Sequence, residues 1–330
     1  MRMPKDERAA HRDLIYFVYY PASMITKKEM FGLMLGLIAT ACWGAYYLLG
    51  RFLFGNYTIH PLMVSFLQFF IAGIVCAVVI GIRGEGSQVF QAVRTRGLFF
   101  LGLALVGIVG EGVLLIYSLK YTTAARSCLF ANTSPIFTVL LAAWLMREPL
   151  GARKLFGMVL GFAGMAVVLL KRGGGDLFVS GTSMVGDVLA LISGISWALY
   201  TVMGRKAGSE FSPMVSSTLS IIIGDLILLV LVLLLRVPWP LNLPLGAWIY
   251  VAVLGVFCYG VAFIFWLAAL KYLEAGKVGA LGYVSVILAT GGSWLLLKEH
   301  LTVQHLFGMV LLLTGVYYMI NVGKGRKLSA

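Results

Sequence analysis

Ten stretches of mostly apolar residues, each long enough to cross a bilayer as a helix, run through this chain of 330 residues. A helix of about 20 residues spans the ~30 Å hydrocarbon core of a membrane, and charged, polar, proline or glycine residues bound each stretch. Backbone polar groups in lipid must pair within the protein, and these stretches lack the alternation of barrel strands. The sequence therefore predicts an all-α membrane protein with ten transmembrane helices.

Composition agrees with this prediction, because 60% of the residues are hydrophobic and 12% are charged, about half of the ~25% typical of soluble domains. The fifth span is the shortest, and Lys154 and Lys171 at its ends can extend to the aqueous boundaries. The predicted spans are residues 31–50, 61–82, 97–119, 127–146, 155–170, 184–204, 213–235, 246–270, 278–297 and 304–323.

The net charge of +13 follows the topology of these spans. A basic chain can bind nucleic acid, but 19 of its 26 Lys and Arg residues fall on the side that holds both tails, and seven fall on the other. This asymmetry is typical of membrane proteins, whose cytoplasmic loops are enriched in basic residues. We therefore expect a multi-pass protein of the cell (inner) membrane with residues 1–30 and 324–330 in the cytoplasm, and no nucleic-acid partner.

The N-terminal tail contains a short apolar run, LIYFVYY, at residues 14–20, after four basic residues. It is shorter and more aromatic than the core of most signal peptides. A helix lying on the cytoplasmic leaflet is the preferred interpretation, and a translation start at Met24 is the alternative.

The chain contains an internal repeat. Residues 119–165 align without a gap with residues 270–316, and 16 of the 47 positions are identical. A second match lies earlier, because Trp43 and Tyr46 recur 154 residues later as Trp197 and Tyr200. The shared features of the longer match are Lys120-Tyr121 with Lys271-Tyr272, Glu148 with Glu299, and the hexapeptide LFGMVL at 155–160 and 306–311.

These matches predict two five-helix repeats, at residues 31–170 and 184–323, joined by a glycine-rich linker at 171–183. Because five is odd, the second repeat enters the membrane from the opposite side, and the two repeats are inverted. Inverted repeats commonly support alternating access, in which a site near the bilayer midplane faces each side in turn.

The same residues carry a family resemblance. The segment from Glu148 to Gly164, its partner from Glu299 to Gly315 and the segment from Gly186 to Tyr200 resemble the EamA-type transporters of the drug/metabolite transporter superfamily. The resemblance implies a ten-helix carrier for amino acids, amines, nucleosides or other metabolites and drugs, often an exporter, without a nucleotide-hydrolysing domain. Many members carry an arginine seven residues after the proline of the second span, where this chain has Gln68.

Two carboxyl groups lie deep within predicted spans. Glu111 lies about two-thirds of the way along the third span, and Asp225 lies midway along the seventh. Acidic side chains at this depth cost ~2.5 to 3.5 kcal/mol on insertion scales and commonly mark ion or proton pathways. Both are candidates for proton coupling, and Glu111 is also a candidate for substrate binding because Gly110 and Gly112 flank it. The alternative is a hydrogen-bonded carboxyl that packs against another helix.

Aromatic and polar residues complete the predicted binding site. Trp43 with Tyr46, and Trp197 with Tyr200, lie one turn apart inside their spans, where they line a cavity or pack in the core. Aromatic rings suit a cationic or aromatic substrate. Pro135 predicts a kink in the fourth span, because proline removes a backbone hydrogen bond. The remaining candidates are Gln68 in the second span, Asn132 and Ser134 beside the kink, and Tyr283 at the corresponding position of the second repeat.

Glu148 and Glu299 lie at the ends of the fourth and ninth spans, on opposite sides of the membrane, and cannot form one acid/base pair. We expect each to bind the N-terminal amides of the following span, the fifth or the tenth, in a structural or gating role. Glycine pairs such as Gly157 and Gly161 are expected to allow close helix contact. The sequence shows no set of nucleophile, base and orienting group, so we predict a protein that is not an enzyme and has no cofactor or metal.

The leading hypothesis is therefore a secondary-active transporter that moves a small metabolite, such as an amino acid, an amine or a related amphipathic compound, across the cell membrane. Export is the favoured direction, and a proton gradient is a candidate driving force. The alternative is a passive channel or a lipid scramblase built on the same helices.

Overall fold

The computed structural model describes residues 26–121, 124–169, 181–240, 242–297 and 302–320. The apolar run at 14–20, most of the predicted linker, Glu299 and the C-terminal tail lie outside these ranges. Within them the chain is helical, and these ranges contain no strand. This part of the chain is therefore all-α, as the apolar stretches predicted.

The described α-helices begin and end at the following residues: α1 Lys27–Asn56, α2 Pro61–Arg83, α3 Gly86–Ala104, α4 Leu114–Tyr121, α5 Ala124–Ala131, α6 Ser134–Met146, α7 Ala152–Leu169, α8 Gly181–Ala207, α9 Pro213–Leu234, α10 Leu245–Val253, α11 Ala262–Tyr272, α12 Ala275–Leu297 and α13 Val303–Ile320. Two π-helical segments connect them: Leu105–Val113 joins α3 to α4, and Leu254–Val261 joins α10 to α11.

Eight helical stretches in the described part of the chain are long and apolar enough to cross a membrane. Helices α7 and α12 are not among these eight. Large apolar side chains point outward from the bundle, and Ile82, Leu98 and Val303 are each more than 80% exposed. Such surfaces are costly in water but suit lipid, so the helices are consistent with a bilayer environment.

Local sequence signals explain where several helices begin. The side chain of Thr26 accepts a hydrogen bond from the Glu29 amide, and the Glu29 side chain accepts one from the Thr26 amide, which forms a capping box at α1. Helices α2 and α9 both begin with a proline, at a position where the missing N–H costs nothing. Gly84 ends α2 in the left-handed conformation, with φ of 65°.

Glu85 ties the turn after α2 to the start of α9. Its carboxylate accepts hydrogen bonds from Arg83 Nε at 2.6 Å and from Ser212 Oγ at 2.8 Å. Desolvation by burial acts to raise the pKa of Glu85, but these two hydrogen bonds together with the positive charges of Arg83 and Lys271 outweigh it and hold the pKa below its ordinary value. Since Ser212 also caps α9, the carboxylate links the two halves of the sequence at this end of the bundle.

The helix contacts have the same form in the two halves of the chain. Helix α1 packs on α11 and α12, and α8, which follows the predicted linker, packs on α4, α5 and α6. Helix α2 pairs with α9, and α7 pairs with α13. Each of these main contacts of a helix in one half therefore has an equivalent contact made by the corresponding helix of the other half.

Candidate functional site

A cavity of about 70 Å³ lies inside the bundle, where helices from both halves meet. It is formed by α1, α8 and α12, by the two π-helical segments with the starts of α4 and α11, and by the junction between α5 and α6. Its lining residues are Trp43, Tyr46, Glu111, Leu115, Ala131, Asn132, Ser134, Ser193, Gly194, Trp197, Tyr259, Phe263, Gly282 and Ser285.

The junction between α5 and α6 interrupts the helix just before Pro135, where the sequence predicts a kink. Asn132 Nδ2 donates to the Cys128 carbonyl at 2.9 Å, and Thr133 Oγ1 donates to the Phe130 carbonyl at 2.6 Å. These side chains pair carbonyl groups near the break, as expected for a helix interrupted in lipid.

Gly194 allows helix α8 to approach this junction. A Cβ atom at Gly194 would lie 2.6 Å from the Ala131 carbonyl oxygen and 3.2 Å from Thr133 Oγ1. Both distances are too short for ordinary contact, so only glycine fits without displacing the interrupted segment. The close approach brings Trp197, one turn further along α8, to the cavity wall.

Aromatic rings form one side of the cavity. The rings of Trp43 and Trp197 meet edge to face with centroids 4.9 Å apart, and Phe263 lies 5.4 Å from Trp197. Trp43 Nε1 donates to the Cys258 carbonyl at 2.8 Å, which fixes the indole against the second π-helical segment. Tyr46 and Tyr259 meet edge to face at 5.5 Å. Aromatic pairs in these geometries are mutually stabilising and hold each ring in place.

Glu111 lies in the first π-helical segment and faces the cavity. No described residue forms a hydrogen bond or an ion pair with its carboxyl group. Tyr46 and Tyr259 line the same cavity. The flanking glycines do not leave empty space: a Cβ at Gly110 would lie 3.0 Å from Ser196 Oγ, and one at Gly112 would lie 3.1 Å from the Phe69 ring. They permit close packing on both sides of the carboxyl group.

Three pairs of lining residues occupy equivalent positions of the internal repeat. Trp43 corresponds to Trp197. Ala131 corresponds to Gly282, and Ser134 corresponds to Ser285. The cavity therefore lies where the same segments of the two halves approach each other. Glu111 lacks an acidic counterpart, since residue 262 at the corresponding position is alanine.

The structure separates the predicted binding residues into two groups. Six of the nine line the cavity: Trp43, Tyr46, Glu111, Asn132, Ser134 and Trp197. Gln68, Tyr200 and Tyr283 do not line it and are fully buried at 0% exposure. Tyr200 packs behind Trp197 with ring centroids 5.2 Å apart, and Tyr283 packs against the position of Gly161 on α7.

Asp225 lies outside the cavity, on the buried face of α9. The neighbouring Gly224 packs against Ile108 of the first π-helical segment, one turn from Glu111. The Oδ1 atom of Asp225 has no hydrogen-bond partner among the described atoms. Asp225 therefore lies next to a residue that packs on this segment, but it does not line the cavity that Glu111 faces.

Sequence reasoning missed several lining residues, chiefly Ser193, Tyr259, Phe263 and Ser285. Ser285 could have been found from the repeat, because it corresponds to Ser134. Tyr259 and Phe263 correspond to Ile108 and Gly112, so the repeat contains no signal for them.

Glu148 does cap a helix, but the expected helix is wrong. Its carboxylate accepts hydrogen bonds from the Ala275 amide at 2.8 Å and the Gly276 amide at 3.2 Å, at the start of α12 and not of α7. Arg147 ends α6 in the left-handed conformation, with φ of 53°, and the Glu148 amide bonds back to the Ala142 carbonyl. This turn directs the Glu148 side chain inward toward a helix that is 127 residues distant in sequence.

An all-helical bundle that is apolar enough for a bilayer and encloses a polar and aromatic cavity defines a class: polytopic membrane proteins with an internal binding site. Residues 30–170 and 184–321 each match the profile of the EamA-like transporter family. The chain belongs to this family of membrane transporters.

Similar proteins occur in bacteria and archaea. The uncharacterized transporter YetK of Bacillus subtilis is 25% identical over 96% of this chain and 94% of its own length. An uncharacterized transporter of Methanothermobacter thermautotrophicus is 25% identical over 90% of this chain and 88% of its own. A solved crystal structure with 21% identity has a TM-score of 0.74 and covers 87% of this chain and 95% of its own, which shows the same fold.

Proposed function

We propose that this transporter is a secondary-active carrier that exports a small metabolite, an amino acid, an amine or a related amphipathic compound, across the cell membrane by alternating access. Proton movement through Glu111 supplies the driving force. The carrier consists of ten spans in two inverted repeats of five, with the substrate site between them.

The helix packing supports the inverted repeats. The contacts of α1 with α11 and α12 reappear as the contacts of α8 with α4, α5 and α6. The family profile also matches the chain twice, once on each side of the glycine-rich linker. Two near-equivalent halves with an odd number of spans each are the usual basis of alternating access.

The observation that carries the proposal is the position of the cavity. It lies between the halves, and equivalent residues such as Ser134 and Ser285 line it from both sides. A small rearrangement of one half against the other can therefore open it to either face. Glu111 is the one charged side chain among the described lining residues, and a carboxyl group in this setting can bind a proton or a cationic substrate.

A counterflow assay tests the carrier mechanism. A thermal-shift screen of the purified protein against amino acids, polyamines, nucleosides and quaternary amines first selects a compound that binds, because specific binding stabilises the folded state. Liposomes loaded with that compound should then show saturable uptake of its labelled form and trans-stimulation. Flux that does not saturate, or conductance far above carrier turnover, would instead support a channel.

Glu111→Gln tests the coupling. The change preserves the shape of the side chain and removes its ionisation, so accumulation driven by a pH gradient should be lost while some exchange of the substrate across the membrane persists at raised substrate concentration. Asp225→Asn is the matched comparison, because it removes a buried carboxyl group outside the cavity. Full pH-driven accumulation in the Glu111→Gln protein would leave Glu111 as a packing residue.

A further inference from the structure

The charge of the cavity wall restricts what it can bind. Glu111 is the one charged side chain among the described lining residues. The other polar side chains of the lining, which include Asn132, three serines and the hydroxyl groups of Tyr46 and Tyr259, carry no positive charge. A buried wall whose described residues include one carboxylate and no basic group favours a ligand with a compensating positive charge, because an isolated charge removed from water is strongly unfavourable.

The aromatic side of the cavity also favours a positively charged ligand. Trp43, Trp197, Tyr259 and Phe263 line it, and Trp197 lies within 5.4 Å of Phe263. The faces of aromatic rings carry negative charge density and attract ammonium groups, with tryptophan the strongest of them. Aromatic rings and a carboxylate that line one cavity therefore form a site for an organic cation.

Backbone groups at the cavity favour the same charge. Helix α5 ends at Ala131, and the C-terminal end of a helix carries partial negative charge. The start of α6 offers few donors to an anion, since Pro135 has no N–H and the amides of Ile136 and Phe137 are already bonded to the Thr133 carbonyl. A carboxylate ligand would thus lie near Glu111, and the described lining residues offer neither a cationic side chain nor a free helix N-terminus to neutralise it.

One hydroxyl group is available to the ligand. Ser193 is 1% exposed, lines the cavity, and its Oγ atom has no hydrogen-bond partner among the described atoms. Buried hydroxyl groups normally form hydrogen bonds, so a hydroxyl group at the cavity wall without a partner in the protein suits a ligand with a polar substituent.

We propose that the substrate is a small monovalent organic cation without a carboxylate, held by Glu111 and the aromatic wall. The inference rests on the proposed function, and within it the site selects amines or quaternary ammonium compounds over amino acids. Glu111 supplies the opposite charge, Trp43 and Trp197 supply the ring faces, and Ser193 contacts a polar group of the substrate.

Binding of three compounds with the same shape tests this proposal. Choline is a quaternary cation, 3,3-dimethyl-1-butanol is its uncharged carbon isostere, and betaine adds a carboxylate to the same head group. Calorimetric titration of the purified protein should show binding of choline, with the alcohol and betaine at least about tenfold weaker, as expected when a charge-assisted contact is missing or a like charge is added. The pair n-butylamine and 1-butanol repeats the comparison with a smaller ammonium group.

Glu111→Gln should weaken the binding of choline or n-butylamine at least about tenfold and leave the binding of the uncharged alcohols unchanged. The control is Asp225→Asn, which should bind the cations like the unaltered protein because Asp225 lies outside the cavity. Unchanged unfolding temperatures show that both variants are folded.

Equal or tighter binding of betaine or of the alcohols, or no binding of either cation, would overturn the cation proposal. If a zwitterion or a neutral compound still shows trans-stimulated counterflow, the carrier mechanism stands and the substrate class alone is wrong. If the cations bind at Glu111 but show no counterflow, the site is correct and the carrier mechanism fails.

Discussion

Glu148 is the residue at which a single charge influences the packing of several helices. Its carboxylate accepts from two amides of α12 and lies 3.4 Å from Lys154 Nζ and 3.6 Å from Arg205 Nε. Lys154, which is 1% exposed, also lies 3.5 Å from Glu274. Buried charges are tolerated only when they are paired, so each member of this cluster depends on the others.

Glu148→Gln should destabilise the protein by about 3 kcal/mol, because Lys154 would stay buried with Glu274 as its remaining partner among the described residues. Thermal unfolding in detergent measures the effect. Lys154→Met added to Glu148→Gln should recover part of the loss, since replacing both partners of a buried pair costs less than removing one.

Glu210→Gln provides a matched control for this experiment. Glu210 forms a bidentate pair with Arg96, at 2.8 and 2.9 Å, but its side chain is 37% exposed. An exposed pair contributes at most about 1 kcal/mol, so this variant should unfold close to the unaltered protein. Equal losses in the two single variants would show that burial of the Glu148 cluster has no special energetic role.

At the scale of helices, α7 and α13 pack closely, with glycines of each helix against the backbone of the other. A Cβ atom at Gly315 would lie 2.6 Å from the Gly157 carbonyl oxygen, and one at Gly164 would lie 2.7 Å from the Gly308 carbonyl oxygen. Without a hydrophobic driving force inside lipid, small residues stabilise helix pairs because they let the backbones approach. The contact joins the fifth predicted span to the tenth, and so the first half to the second.

Gly315→Ala should weaken this helix pair and lower stability by about 1 to 3 kcal/mol, because the added methyl group meets backbone atoms that cannot rotate away. Thermal unfolding measures the change. Gly291→Ala in α12 is the control, since a Cβ there meets nothing within 4 Å and alanine favours a helix. Equal stability of the Gly315→Ala protein would show that α7 and α13 can separate at little cost.

The helices show how far local sequence determines the fold. The predicted span 61–82 is the helix Pro61–Arg83, because proline and a glycine-ended turn mark its ends. Helix α1, at Lys27–Asn56, is longer than the predicted span 31–50, since a helix can continue through polar residues beyond the hydrocarbon. The π-helical segments at Leu105–Val113 and Leu254–Val261 were not predicted, because a change in hydrogen-bond register leaves no mark on composition.

At the scale of the molecule, the sequence indicated which residues lie midway along a helix better than it indicated which residues contact one another. Glu111, Trp43 and Trp197 were found because acidic and aromatic residues in the middle of a span are unusual. Tyr200 shares that depth but turns its ring into the core behind Trp197, and periodicity alone does not distinguish the two orientations. Contacts between residues more than 100 positions apart, such as Glu148 with Ala275, depend on the assembled bundle.

The orientation of the molecule in the membrane is the remaining global prediction. Lys and Arg residues are concentrated on the predicted side of both tails, which predicts that the turn after α2 lies in the cytoplasm and the turn after α1 lies outside. Both turns are exposed at Asn56 and Gly84, so single cysteines at these positions are accessible from opposite sides. The four native cysteines would be removed first.

An impermeant thiol reagent added to intact cells should label the cysteine at position 56 and not that at 84, whereas both should react after permeabilisation. Labelling of position 84 alone in intact cells would reverse the orientation. The same reversal would place the Glu148 cluster outside, because the α6 to α7 turn shares the side of the α2 to α3 turn in this topology.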